Sequence, residues 1–183
     1  MNRTWVPGIV LSVLLSAGAR AADYQQKPAT DVLELQPLSQ YAGNWETELT
    51  IKNTENPQGV KTTGSSVGEW IHGGRFLRQT WSVNAADGVL AFNGSSIRTY
   101  DPRKKSYRTW NFDSTGNTEE SQGAWNPKER TLTWKVAENN SGGITIIKST
   151  FPEDGKESWS ILVKDGDGEI VADVSGKSTR RKE

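Results

Sequence analysis

The sequence predicts an all-β domain, an up-and-down antiparallel barrel of about ten strands with a short N-terminal helix at one end. Three observations predict it. Apolar residues alternate with polar ones through most of the chain, as in Trp45-Thr47-Leu49-Ile51 against Glu46-Glu48-Thr50-Lys52. A half-buried antiparallel strand reads this way. Turn signals separate the alternating runs: Asn56-Pro57, Gly73-Gly74, Asp87-Gly88, Asp101-Pro102, Asn126-Pro127, Gly142-Gly143, Asp154-Gly155 and Asp165-Gly166. No helical period of a dozen residues follows Gly43, and parallel strands would need long crossovers, usually helical.

The N-terminus reads as an address. Asn2-Arg3 give a basic start, Trp5 to Ala17 is apolar with few breaks, and Ala19-Arg20-Ala21 has the small-x-small form of a cleavage site. This is the plan of a secretory signal peptide over residues 1–21, and the run is shorter than the roughly 20 residues that cross a bilayer. Cleavage after Ala21 removes Arg3 and Arg20 and no acid, so 22 basic against 22 acidic residues become 20 against 22, a net −2. The expectation is an exported protein, periplasmic or secreted, without a membrane span. Residues 22–36 read as a leader, 37–177 as the barrel and 178–183 as a basic tail.

A short helix is expected from Pro37 to Ala42. Pro suits a first helical position, Gly43 suits the end, and Leu38 and Tyr41 lie three apart. Strands are expected near 45–53, 60–71, 75–83, 89–100, 106–113, 118–125, 131–137, 144–151, 157–164 and 169–177. Pro102, Pro127 and Pro152 recur at a spacing of 25, each leading through a turn to a strand with Trp110, Trp134 or Trp159. Two strands and two turns fit that length, so one hairpin step repeats. An open ten-stranded sheet would leave two edges and an apolar face exposed, and closure removes both. Few apolar residues (33 %) but 8 Trp suit a core of large side chains. A two-sheet sandwich is the alternative; it would need long Greek-key connections.

Composition narrows the functions. Balanced charge gives no field for nucleic acid or anionic lipid. The chain has no Cys, which excludes disulfides, thiolate metal sites and a cysteine nucleophile. His72 is its one histidine. As a haem ligand it would offer a single axial bond, and its place beside Gly73-Gly74 reads as a solvated turn instead. No cofactor or metal is expected. The Asp165 to Glu169 run resembles part of a calcium loop, but the first and twelfth positions would be Val163 and Val174, which cannot coordinate calcium. Glu119 and Glu120 point to opposite sides of a strand and make a poor hydrolase pair.

One ordered set of motifs carries a resemblance. "YAGNWE" holds a Gly-x-Trp at Gly43 and Trp45. "GGRFL" follows at Gly73 to Leu77, then "GSSIRTYD" ending at Asp101, "KSYRTWNFDSTGN" from Lys105 to Asn117, and "GAW" at Gly123 to Trp125. The set resembles a family of exported bacterial proteins of unknown function related to the calycins, the superfamily of lipocalins and fatty-acid-binding proteins. The resemblance implies a calycin-like barrel and no activity. It also implies that Trp45 packs under the closing end against a basic residue of the last strand, Lys177 or Arg180, a cation–π contact of about 0.5–2 kcal/mol.

The candidate ligand-binding residues are Trp70, Arg78, Trp81, Tyr107 and Trp110. A turn at Gly73-Gly74 would set Trp70 opposite Leu77, Glu69 opposite Arg78 and Ser66 opposite Trp81. One face then carries Trp70, His72, Arg75, Leu77, Gln79 and Trp81, and the other Val67, Glu69, Ile71, Phe76, Arg78 and Thr80. One of these lines a cavity with Trp walls and a few polar anchors, the usual composition of a small-molecule site; the alternative is barrel packing with a surface Glu69–Arg78 pair. Tyr107, Asn111 and Asp113 share one side near a barrel mouth, and Asp113 to Asn117 reads as a polar turn. The expected function is binding of a small apolar or amphipathic ligand by a monomer, with a non-catalytic structural or interaction module as the alternative and an enzyme third.

Overall fold

The computed structural model describes residues 27–29, 31–136 and 142–182. The expected signal peptide lies outside the described residues. A 3₁₀ helix spans Leu33–Tyr41 and ten strands follow: β1 Gly43–Asn53, β2 Val60–Ile71, β3 Phe76–Val83, β4 Phe92–Asp101, β5 Ser106–Asp113, β6 Thr118–Asn126, β7 Thr131–Val136, β8 Thr145–Thr150, β9 Lys156–Lys164 and β10 Ile170–Arg180. Each strand pairs antiparallel with its chain neighbours, and β1 also pairs with β10, so the sheet is a closed barrel. Closure by Trp45 opposite Arg180 and Leu49 opposite Gly176 removes both edges and excludes the sandwich. Among the described residues no helix is long and apolar enough to cross a membrane.

The helix starts four residues before the expected Pro37. Leu35, Leu38 and Tyr41 are its buried residues. Their spacing of three is the 3₁₀ period, which stacks them on one edge. Pro37 therefore lies inside the helix rather than at its start. This edge plugs one end of the barrel. Ala29 and Val32, from the segment read as a leader, pack on the same cluster. Gly68 admits the crossing chain: a Cβ there would stand 2.1 Å from the Tyr41 carbonyl oxygen.

The hairpin steps expected from Pro102, Pro127 and Pro152 are the turns at this plugged end. In two of them an Asx side chain holds the turn. Asp101 Oδ1 accepts from the Arg103 and Lys104 amides, and Asn126 Oδ1 accepts from the Lys128 amide at 3.1 Å. β4 starts at Phe92 rather than near 89, because Ala86 and Val89 bond each other across their own tight turn. β10 continues through Ser178 and Thr179 to Arg180, which pair with Thr47, Glu46 and Trp45.

Registers define the inward set. Six of the seven Trp residues beyond the expected cleavage site face inward: Trp45, Trp70, Trp81, Trp125, Trp134 and Trp159. Three of these lie directly opposite glycine, namely Trp81 on Gly94, Trp134 on Gly123 and Trp159 on Gly176. A Cβ at each of these glycines would stand 2.4–2.5 Å from an indole carbon. The absent side chain is what lets each ring lie flat across the neighbouring strand, which packs a barrel with few but large apolar groups.

Candidate functional site

The barrel interior divides into two halves. At the plugged end Leu35, Leu38, Tyr41, Trp70, Leu77, Tyr107, Leu132, Trp134 and Phe151 form one buried cluster. Trp45 closes the seam between β1 and β10: its Nε1 donates to the Tyr41 carbonyl at 3.1 Å, and the Arg180 guanidinium stands 4.8 Å from its ring centroid. Of the two expected cations, Arg180 takes this place; Lys177 pairs with Glu48 on the outer face. Arg180 also donates to the Gln40 carbonyl at 3.0 Å.

Toward the other end several apolar inward residues keep partial exposure. Ile51, Ile147, Ile161, Val163 and Val174 form an apolar wall from β1 and β8–β10 that is only partly buried. Facing it, β4–β6 present the polar groups Ser96, Thr109, Asn111, Glu119 and Ser121. Ser96, Thr109 and Ser121 of this polar wall are fully buried, so the partial exposure lies mainly on the apolar wall.

A polar layer lies between the halves. Arg98, on β4, lies inside the barrel with its guanidinium 4.4 Å from the Tyr41 ring centroid and 5.9 Å from that of Trp134. Its Nη1 donates to Gln79 Oε1, and Gln79 Nε2 donates to Ser66 Oγ at 3.0 Å. The Arg98 Nε is buried and has no hydrogen-bond partner. Burial lowers the Arg98 pKa, while Tyr41 and Glu157 oppose that shift. Glu157, on β9, is buried, and burial raises its pKa against the pull of Ser149, Arg98 and Ser178. The Ser178 hydroxyl accepts from Trp159 Nε1 at 3.1 Å and shares a 2.9 Å hydrogen bond with Thr47. Glu119 is a second acid with a pKa raised by burial, opposed by Ser121 and Asn111.

The five sequence candidates separate into two groups. Trp70 and Tyr107 face inward within the packed floor; Tyr107 donates to the Glu34 carbonyl at 2.7 Å, and burial pushes its pKa up to about 12. Trp81 faces inward in the other half, with its ring 5.7 Å from that of Phe92. Arg78 and Trp110 face outward, on either side of Ile97 in one cross-strand row. Arg78 pairs with Glu69, a surface contact worth under about 1 kcal/mol. The Trp110 ring is covered by Arg108 at 5.2 Å, and Arg108 also pairs with Glu120. The expected register of the Gly73-Gly74 hairpin holds, with Trp70 opposite Leu77 and Ser66 opposite Trp81; joining both of its faces in one candidate site does not. Asp113 accepts from Thr115 and Asn117 and so holds its own turn. His72 is exposed at the hairpin tip, with φ of 51°. Sequence reasoning missed Arg98, Gln79 as its partner, and Glu157. Arg98 sits two residues before Tyr100 in the motif "GSSIRTYD", on the face that alternation turns inward.

A shallow groove of about 550 Å³ lies on the outer wall, where Val67, Thr80, Ser95 and Phe112 form one row across four strands. It brings hydroxyls and two exposed apolar side chains together, with no buried charge.

These features define a class: a closed ten-stranded antiparallel barrel, plugged by a short helix at one end, with a charged layer inside. The chain belongs to the family described as "Protein of unknown function (DUF1579)", whose model matches residues 33–169. No curated protein matches it. Two solved structures are similar in fold. Rv2717c from M. tuberculosis aligns with a TM-score of 0.63 at 13 % identity, over 82 % of this chain and 99 % of its own. The S-type phycobiliprotein lyase CPES from Guillardia theta aligns with a TM-score of 0.56 at 9 % identity, over 81 % and 92 %.

Proposed function

We propose that this is an exported, calycin-like barrel that takes a small amphipathic molecule into its lumen through the end opposite the helix. The observation that carries the reading is the contrast between the two halves. Most apolar side chains of the floor are buried, whereas Ile51, Ile147, Ile161, Val163 and Val174 on the same inward face are only partly buried. An apolar wall facing a polar one suits a molecule with both characters. Trp45 under the Arg180 guanidinium is the contact that calycin likeness implied, and it supports that part of the reading. The fold shared with a phycobiliprotein lyase means that this architecture also serves an enzyme; it transfers no activity.

Native mass spectrometry of gently purified protein tests the proposal, together with titration by the neutral apolar dye N-phenyl-1-naphthylamine. A co-purifying small molecule, or saturable dye binding that quenches Trp81, is expected. A barrel that holds nothing and ignores the dye overturns it. Export is tested by N-terminal sequencing of the mature protein, expected to begin at Ala22. The second reading, an interaction module, draws on the outer groove between exposed Val67 and Phe112. Dye binding abolished by changes at those two residues and not at Trp81 would favour it.

A further inference from the structure

We propose that the outer groove of the β2–β5 wall binds a neutral β-linked oligosaccharide, with one sugar ring stacked on Phe112. This does not rest on the lumen reading; it gives the groove a ligand of its own. The groove follows from one outward row of the sheet. Val67 on β2 and Phe112 on β5 stand at its two ends, and the smaller Thr80 and Ser95 lie between them. Two large side chains flanking two small ones leave a depression about 14 Å long, three strand spacings. Its volume of about 550 Å³ falls within the ~300–1,000 Å³ of small-molecule sites. Val67 and Phe112 are 44 % and 42 % exposed.

The polar groups beside the ring are neutral and unused. Among the described residues, none bonds the Thr80 or Ser95 hydroxyl or the Asn93 carboxamide; Asn93 meets Ser114 through its backbone alone. Asp113 is the charged residue of the lining, and Thr115 and Asn117 occupy its carboxylate oxygens. Chemistry then selects the occupant. No cation lines the groove, so nothing there holds a phosphate or carboxylate. The sheet is closed and offers no unpaired edge to an extended peptide. Two hydroxyls part Val67 from Phe112, which breaks any apolar track for an acyl chain. A pyranose ring matches both characters. Its C–H face meets the electron-rich face of a phenyl ring, and its hydroxyls exchange hydrogen bonds with groups that both donate and accept. A β-linked chain keeps successive rings extended and flat, as a row across a sheet requires.

Titration of ¹⁵N-labelled protein with cellotetraose and with chitotetraose tests this. Saturable amide shifts at Val67, Thr80, Ser95 and Phe112 are expected with at least one of the two, with a Kd on the order of 1 mM or below. Phe112→Ala should raise that Kd by about fivefold or more, and Phe112→Tyr, which keeps the ring, should restore it. Ser95→Ala should weaken binding with the ring intact. The same spectra report whether each variant is folded; if Phe112→Ala is not, Ser95→Ala decides. No saturable shift with either sugar overturns the proposal, as do shifts confined to residues outside this row or an unchanged Kd in a folded Phe112→Ala. Groove amides that shift on dilution of the protein alone would assign the face to a second copy of the chain and overturn it too.

Discussion

Gly123→Ala puts the packing scheme under direct stress. The new Cβ would stand 2.5 Å from one carbon of the Trp134 ring and 2.8 Å from the next. Ordinary contact begins near 3.4 Å, so the ring must retreat by almost 1 Å. It has nowhere to go. Trp134 is 1 % exposed, its Nε1 donates to the Tyr41 hydroxyl at 3.4 Å, and the Tyr107 ring stands edge-on at 6.4 Å. Overpacking of this kind costs about 1–3 kcal/mol. Alanine restricts the unfolded chain and returns about 0.4–1 kcal/mol. The net loss is about 1–2 kcal/mol, or roughly 2–8 °C in Tm for a domain of this size. Thermal and urea unfolding followed by circular dichroism read it. Adding Trp134→Leu removes the clash, so the double variant should show a coupling of about 1 kcal/mol. A Gly123→Ala protein within about 0.5 kcal/mol of the natural one, with additive effects in the double variant, would refute the requirement for glycine under the ring.

Four other outcomes are expected. Trp45→Ala should lose about 3–5 kcal/mol in urea unfolding, because it empties a site that is 2 % exposed. Arg180→Ala should lose only about 0.5–2 kcal/mol, the cation–π share. In Glu157→Gln the pH dependence should change. The folded pKa of Glu157 is raised above 4.5, so the native state binds this proton more tightly than the unfolded chain does. That stabilisation is complete below the unfolded value and is lost as pH rises through the folded one. The glutamine protein should therefore gain on the natural protein between pH 4.5 and neutrality in Tm measured across that range; a growing deficit there would contradict burial as the dominant cause. Arg78→Ala and Trp110→Ala should leave dye binding unchanged, because both side chains face outward, whereas Trp81→Ala should weaken it several-fold in the same titration.

Architecture was legible because alternation has one meaning in an antiparallel sheet. Trp45, Leu49 and Ile51 fixed an inward face, and the Pro spacing of 25 marked the plugged-end turns of three hairpin steps. The Gly73-Gly74 turn set the β2–β3 register to the residue. The helix start was misjudged because Pro37 suits a first position, while the longer 3₁₀ stripe from Leu35 overrides that preference. The site was less legible. Its polar layer joins Gln79 on β3, Arg98 on β4 and Glu157 on β9, and no local pattern announces that three strands will bring them to one level. Inward alternation through the motif was the signal that could have found Arg98, since charged residues are seldom placed on a core face. Trp110 misled for the opposite reason. An indole reads as core, yet this one faces outward and is covered by Arg108.

The central claim is that the mouth half of the barrel is open space that accepts a molecule. Isotope-filtered nuclear Overhauser spectra of labelled protein with N-phenyl-1-naphthylamine measure it most directly. The dye should show contacts to methyl groups of Ile51, Ile147, Ile161 and Val174, which no outer-wall binder can reach. Contacts confined to Val67 and the Phe112 ring would place the dye in the outer groove and contradict the claim.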